Sequence, residues 1–62
     1  MKATFDKANI KVWFNTLGTS RNFKNVVEIE QNGNAALIKI SNGDQHFLNW
    51  SNINSIEEIE QK

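Results

Sequence analysis

The chain contains no cysteine, which rules out disulfide staples, zinc–thiolate ligation and a thiol nucleophile. No uncharged run approaches the roughly 20 apolar residues that a membrane-spanning helix needs. Residues 1–7 hold no apolar block of the kind that marks a signal peptide, so a cytoplasmic location is expected. An excess of one charge is missing too. Seven Lys and Arg balance seven Asp and Glu, so net charge draws the chain to neither nucleic acid nor a membrane surface. With 62 residues there is room for one small β domain and for little pocket volume.

Catalytic and cofactor chemistry lack their usual residues. The one histidine, His46, has Asp44 as its sole acidic neighbour in sequence, and there is no His or Cys pair at metal-ligand spacing. A strand histidine at a rim or beside a turn is the expectation for it. Gly18, Gly33 and Gly43 stand alone in turns rather than in a phosphate-cradling loop. Glu57, Glu58 and Glu60 lack the alternating Asp/Asn pattern and glycine of a calcium loop, and read as a solvated edge or helix face. Asn49-Trp50-Ser51 matches a glycosylation acceptor, which has no meaning without secretion. No enzyme, metal or cofactor is expected.

What is abundant is asparagine, with ten residues, and isoleucine, with seven; six of the seven basic residues are lysine. These residues have A/T-rich codons and fit a bacterial or phage genome of that composition. Charge is also unevenly distributed. Residues 1–27 carry five basic side chains against Asp6, and residues 28–62 carry six acidic ones against Lys39 and Lys62. The two halves are expected to pair across neighbouring strands.

Hydrophobicity alternates with period two. Ile10, Val12 and Phe14 alternate with Lys11 and Trp13; Val27 and Ile29 with Glu28 and Glu30; Ala36, Ile38 and Ile40 with Leu37 and Lys39. The dipeptides Asn32-Gly33 and Asn42-Gly43 separate these runs as hairpin turns. Strands are expected near 8–15, 25–31, 35–41, 44–50 and 55–60, with 1–7 a loose arm.

A two-residue turn centred on Asn32-Gly33 places Ile29 opposite Ala36 and Val27 opposite Ile38, giving a core face of Val27, Ile29, Ala36, Ile38 and Ile40. For the second turn, a three-residue loop 41–43 with Gly43 left-handed buries His46, Leu48 and Trp50. A two-residue turn would bury Phe47 instead, with Gln45 and Asn49. The three-residue loop buries more apolar surface and is preferred.

Residues 23–30 and 50–57 share a pattern of aromatic, any, Asn, β-branched, any, any, Ile, Glu. It reads as a strand end, a tight helical turn and a new strand. Ser55-Ile56-Glu57-Glu58 also forms a capping box, and Ile53, Ile56 and Ile59 recur at helical spacing. A C-terminal helix is thus the alternative to a final strand.

Five antiparallel strands with a short turn before the last give an all-β fold, an SH3-like barrel or a meander sheet. The last two strands, joined through Asn52-Ile53, resemble the corresponding piece of that superfold and of the Sm-like RNA-binding barrels. The Sm-like resemblance spans about residues 36–60, without the usual N-terminal helix, and implies fold alone.

If Ile10, Val12 and Phe14 face the core, then Trp13, Leu37 and Phe47 point outward. Three large apolar side chains on an outer face predict a protein partner or self-association, unless Phe5 with the N-terminal arm or the C-terminal segment covers them. Lys11, Glu28 and Lys39 would form the rim of such a site. The alternative is a single-strand nucleic-acid site made by Trp13 with Lys11, Arg21 and Lys24. A structural homodimer is the third reading.

Overall fold

A computed structural model describes residues 1–59. Five antiparallel strands form one sheet: β1 (Lys2–Phe14), β2 (Ser20–Asn32), β3 (Ala35–Ile40), β4 (Gln45–Asn49) and β5 (Ile53–Ile59). A 3₁₀ turn, Trp50–Asn52, precedes β5, and the sheet order is β4-β3-β2-β1-β5. The first four strands meander, and the chain then crosses to place β5 beside β1. No ladder joins β4 to β5 among the described residues, so the sheet remains open, with these two strands as its edges. Among the described residues, no helix is long and apolar enough to cross a membrane.

The N-terminal residues are not a loose arm. Lys2, Ala3 and Thr4 pair with Glu30, Ile29 and Glu28, which makes β1 and β2 thirteen residues each. Polarity hid this segment, because its outward residues Lys2 and Thr4 break any apolar periodicity. Phe5 packs against the core rather than over the outer face.

Bulges explain how one sheet encloses a core. Between Thr4 and Ala8, β1 carries two residues more than β2, and Lys7 there adopts φ 56°. Between Phe23 and Val26, β2 carries one extra residue, and Asn25 adopts φ 59°. Bulges bend the strand and increase its twist. The sheet therefore curls over its own inner face, and Ile10, Val12, Phe23, Val26, Ile29, Ala36 and Ile38 are buried there without a second layer. Phe14, Ile40, Leu48, Ile53 and Ile56 complete the packing.

A further bulge corrects the expected core. Val26 pairs with Ile40 and Glu28 with Lys39, which leaves Val27 as the extra residue. Val26 is buried and Val27 only half-buried, the reverse of strict alternation. The first hairpin also turns one residue later than expected. Asn32 pairs with Ala35 and Ile29 with Ile38, so Gly33-Asn34 holds the two central positions. Gly33 has φ 61°, and this placement asks for a positive φ only at glycine, whereas Asn32-Gly33 would ask it of both residues. The slip moves each partner by two positions, so Ile29, Ala36 and Ile38 keep the core face.

The second hairpin follows the three-residue loop. Leu37 pairs with Phe47 and Ile38 with His46, the Ile40 N–H donates to the Asp44 carbonyl at 2.9 Å, and Gly43 has φ 99°. Asn42 holds the loop by accepting from the Asp44 N–H at 2.9 Å.

Ile53–Ile59 form a strand rather than a helix. Val12 pairs with Ile56 and Phe14 with Ile53, so a bulge on β5 produces the three-residue spacing that mimics a helix. Only the second of the two similar segments forms a helical turn; in the first, Asn25 is the left-handed bulge residue of an unbroken strand. Asn49 Oδ1 caps the 3₁₀ turn, accepting from the Ser51 N–H at 3.1 Å and Ser51 Oγ at 2.8 Å. This is the structural role of the Asn-Trp-Ser triplet.

Candidate interaction surface

Directly opposed residues of an antiparallel ladder share a face. One outer row therefore runs Phe47, Leu37, Glu30, Lys2 across β4, β3, β2 and β1, and the next runs Gln45, Lys39, Glu28, Thr4. Phe47 is 71% exposed and Leu37 half-buried beside it. In the adjacent row Glu28 lies between two lysines, at 2.9 Å from Lys39 Nζ and 3.5 Å from Lys2 Nζ. The hydrogen bond from Lys39 holds the Glu28 carboxyl below its ordinary value, with the Lys2 charge adding to this and desolvation opposing it. The same bond raises Lys39.

Trp13 belongs to a different row. It pairs with Ser20 and Ser55, away from the Leu37–Phe47 pair. Its Nε1–H donates to Glu57 at 2.9 Å, and Lys11 Nζ lies 4.3 Å from the ring centroid. Thus Trp13, Lys11 and Glu57 form one local cluster, while Leu37, Phe47, Lys39 and Glu28 form another. Among the residues of the nucleic-acid alternative, the Arg21 guanidinium sits 4.9 Å from the Phe23 ring, on the core side of the ladder, and Lys24 is exposed. His46 is half-buried with its ring 5.1 Å from that of Phe23, as a packing residue. Among the described residues, no group of three or more His, Cys, Asp or Glu could hold a metal ion.

β4 offers a backbone surface as well. Antiparallel pairs alternate between residues that exchange hydrogen bonds and residues that point these groups away from each other. Bonds from Ile40 N–H to the Asp44 carbonyl and from Trp50 N–H to the Asn34 carbonyl fix the phase of the β3–β4 ladder. By that phase His46 and Leu48 bond to β3, and Gln45, Phe47 and Asn49 turn their N–H and C=O groups to the free edge. Beside that edge lies a hollow of about 470 Å³, lined by Phe14, Phe47 and Leu48 with Asn15, Thr16, Thr19, Asn49 and Asn52. None of these residues is charged.

Two features escaped the sequence reading. Leu17 is 99% exposed because it occupies the first central position of a turn closed by the Thr19 N–H to the Thr16 carbonyl. The turn's second central residue, Gly18, has φ 80°, the value a type II turn reserves for glycine. The hollow is built from residues distant in sequence that only the curl of the sheet brings together. No protein-family model matches the chain, and neither the curated proteins nor the solved structures provide a match.

Proposed function

We propose that this chain is a non-catalytic protein-binding module, an adaptor or inhibitor, built on an open SH3-like sheet and anchored by Leu37 and Phe47. The observation that carries this reading is Phe47, largely exposed beside Leu37 on an uncharged edge strand. A large apolar side chain held outward on so small a domain weakens solubility unless a partner covers it, and phenylalanine in an interface centre is a frequent anchor. Glu28 and Lys39 of the next row, with Lys2, would set specificity at the rim.

Single-strand nucleic-acid binding is less well supported. Base stacking needs a free aromatic face and a positive groove. Trp13 has its ring beside Lys11 and its N–H on Glu57, whose charge repels phosphate.

The test is capture from an extract of the source cells, with wild type and Phe47→Ser compared side by side. A protein retained by the wild type and lost from a variant that still melts cooperatively is the expected result. Retention that does not depend on Phe47 would remove the reading.

A further inference from the structure

The two edges of the sheet differ in how they are guarded. Free strand edges are usually blunted by charged side chains, because their unpaired backbone groups would otherwise template another strand. β5 carries Glu57 and Glu58. β4, Gln45–Asn49, has no charged residue, no proline, and Phe47 at its centre. Its bonding phase turns the N–H and C=O groups of Gln45, Phe47 and Asn49 outward over the uncharged hollow.

From this geometry we infer that β4 is a strand-addition site, taking an extended, uncharged segment of another protein as a sixth strand. The inference rests on the protein-binding reading and specifies how that binding occurs. Main-chain bonds would come from Gln45, Phe47 and Asn49, and alternate side chains of the added segment would enter the hollow between Phe14, Phe47 and Leu48. Asn15, Thr16 and Thr19 also line the hollow; Asn15 Nδ2 donates to the Ser51 carbonyl at 2.7 Å and Thr19 Oγ1 to the Thr16 carbonyl at 2.8 Å, and their oxygens keep acceptor capacity for the incoming chain. Those same residues wall the space beside β4. A second copy would have to bring its own sheet and its own 16–19 turn into that space, whereas an extended segment brings a single strand. An acidic or basic segment would bury its charge against a lining that offers no counter-charge.

A random peptide library displayed on phage, selected against the whole chain, supplies the probe. The expected binders alternate apolar and polar residues and carry neither charge nor proline in their central five positions. Amide exchange of the complex with one such synthetic peptide should slow at least tenfold at Gln45, Phe47 and Asn49, and change little at His46 and Leu48, which already bond to β3. Methylating the peptide's central backbone nitrogen should weaken binding at least tenfold.

Three results would overturn the inference: charged binders, protection confined to other residues, or protection that rises with protein concentration and no peptide, which would make a second copy the occupant. A selection that yields Phe47-dependent binders without protection of the β4 amides would sink strand addition and leave the protein-binding reading intact. The absence of any Phe47-dependent binder would remove both.

Discussion

Glu28 and Lys39 face each other directly across the β2–β3 ladder, with Glu28 Oε2 2.9 Å from Lys39 Nζ. The pair joins the basic end of the chain to its acidic half, since Lys2 of β1 reaches the same carboxylate from the other side. The pair is in step with the observed hairpin register, in which Asn32 faces Ala35.

The pair should appear in the pH dependence of stability. The Glu28 carboxyl lies below its ordinary value of 4.5 in the fold, chiefly through the Lys39 hydrogen bond. Its contribution is therefore complete above that value and is lost as pH falls through the folded one. Lys39, raised above 10.5, contributes below that value and loses its share as pH rises through the folded one. Thermal melts of Glu28→Gln should lose part of the acid-side slope shown by the wild type. Added salt should shrink the difference, because Lys39 and Lys2 are partly solvated.

A bulge residue gives a sharper test of backbone shape. Asn25 is left-handed inside β2, a conformation that asparagine tolerates and β-branched residues resist. Asn25→Gly should leave stability unchanged or raised, and Asn25→Val should cost about 1–2 kcal/mol. Chemical denaturation checks both. Equal effects would mean that β2 runs straight through this point. The same logic predicts a loss of more than about 1 kcal/mol for Gly43→Val and for Gly18→Val.

These bulges also mark the limit of what the sequence reveals. All five expected strands overlap observed ones, with β1 and β2 starting earlier than expected, and burial decided correctly for the three-residue loop around Gly43. Alternation failed wherever an extra residue interrupted the period. Val26 took the core position expected of Val27, and Ile53 and Ile56 imitated a helix through a bulge on β5. The outward placement of Phe47 followed from local arithmetic, whereas the hollow beside it depends on curl, a property of the whole sheet. Trp13 was correctly read as alternating with core residues. Its separation from Leu37 and Phe47 depends on which ladder row it occupies, and alternation carries no information about that.

Ile38 lies at the centre of the core, fully buried and opposite both Ile29 and His46. Ile38→Ala should cost about 2–5 kcal/mol, comparable with the whole stability of a domain this small. Loss of the cooperative melt at ambient temperature is the expected outcome. Full retention would show that the inner face packs too loosely for a cavity to matter.

The two aromatic residues first grouped as a single surface should behave differently. Phe47 is exposed and makes no polar contact, so Phe47→Ser should change stability by less than about 0.5 kcal/mol. Trp13 is half-buried, donates to Glu57 and lies beneath Lys11, so Trp13→Ser should cost about 1–2 kcal/mol through the lost hydrogen bond and cation–π contact. Binding should follow the opposite order. Phe47→Ser should weaken a captured partner by at least about 2 kcal/mol, the scale of an interface anchor. Trp13→Ser should leave affinity nearly unchanged once folding is restored by lower temperature. Melting curves and titration of the two variants separate these effects. A partner that depends on Trp13 rather than Phe47 would move the interface to the β1–β5 side, where Lys11 and Glu57 would become its rim.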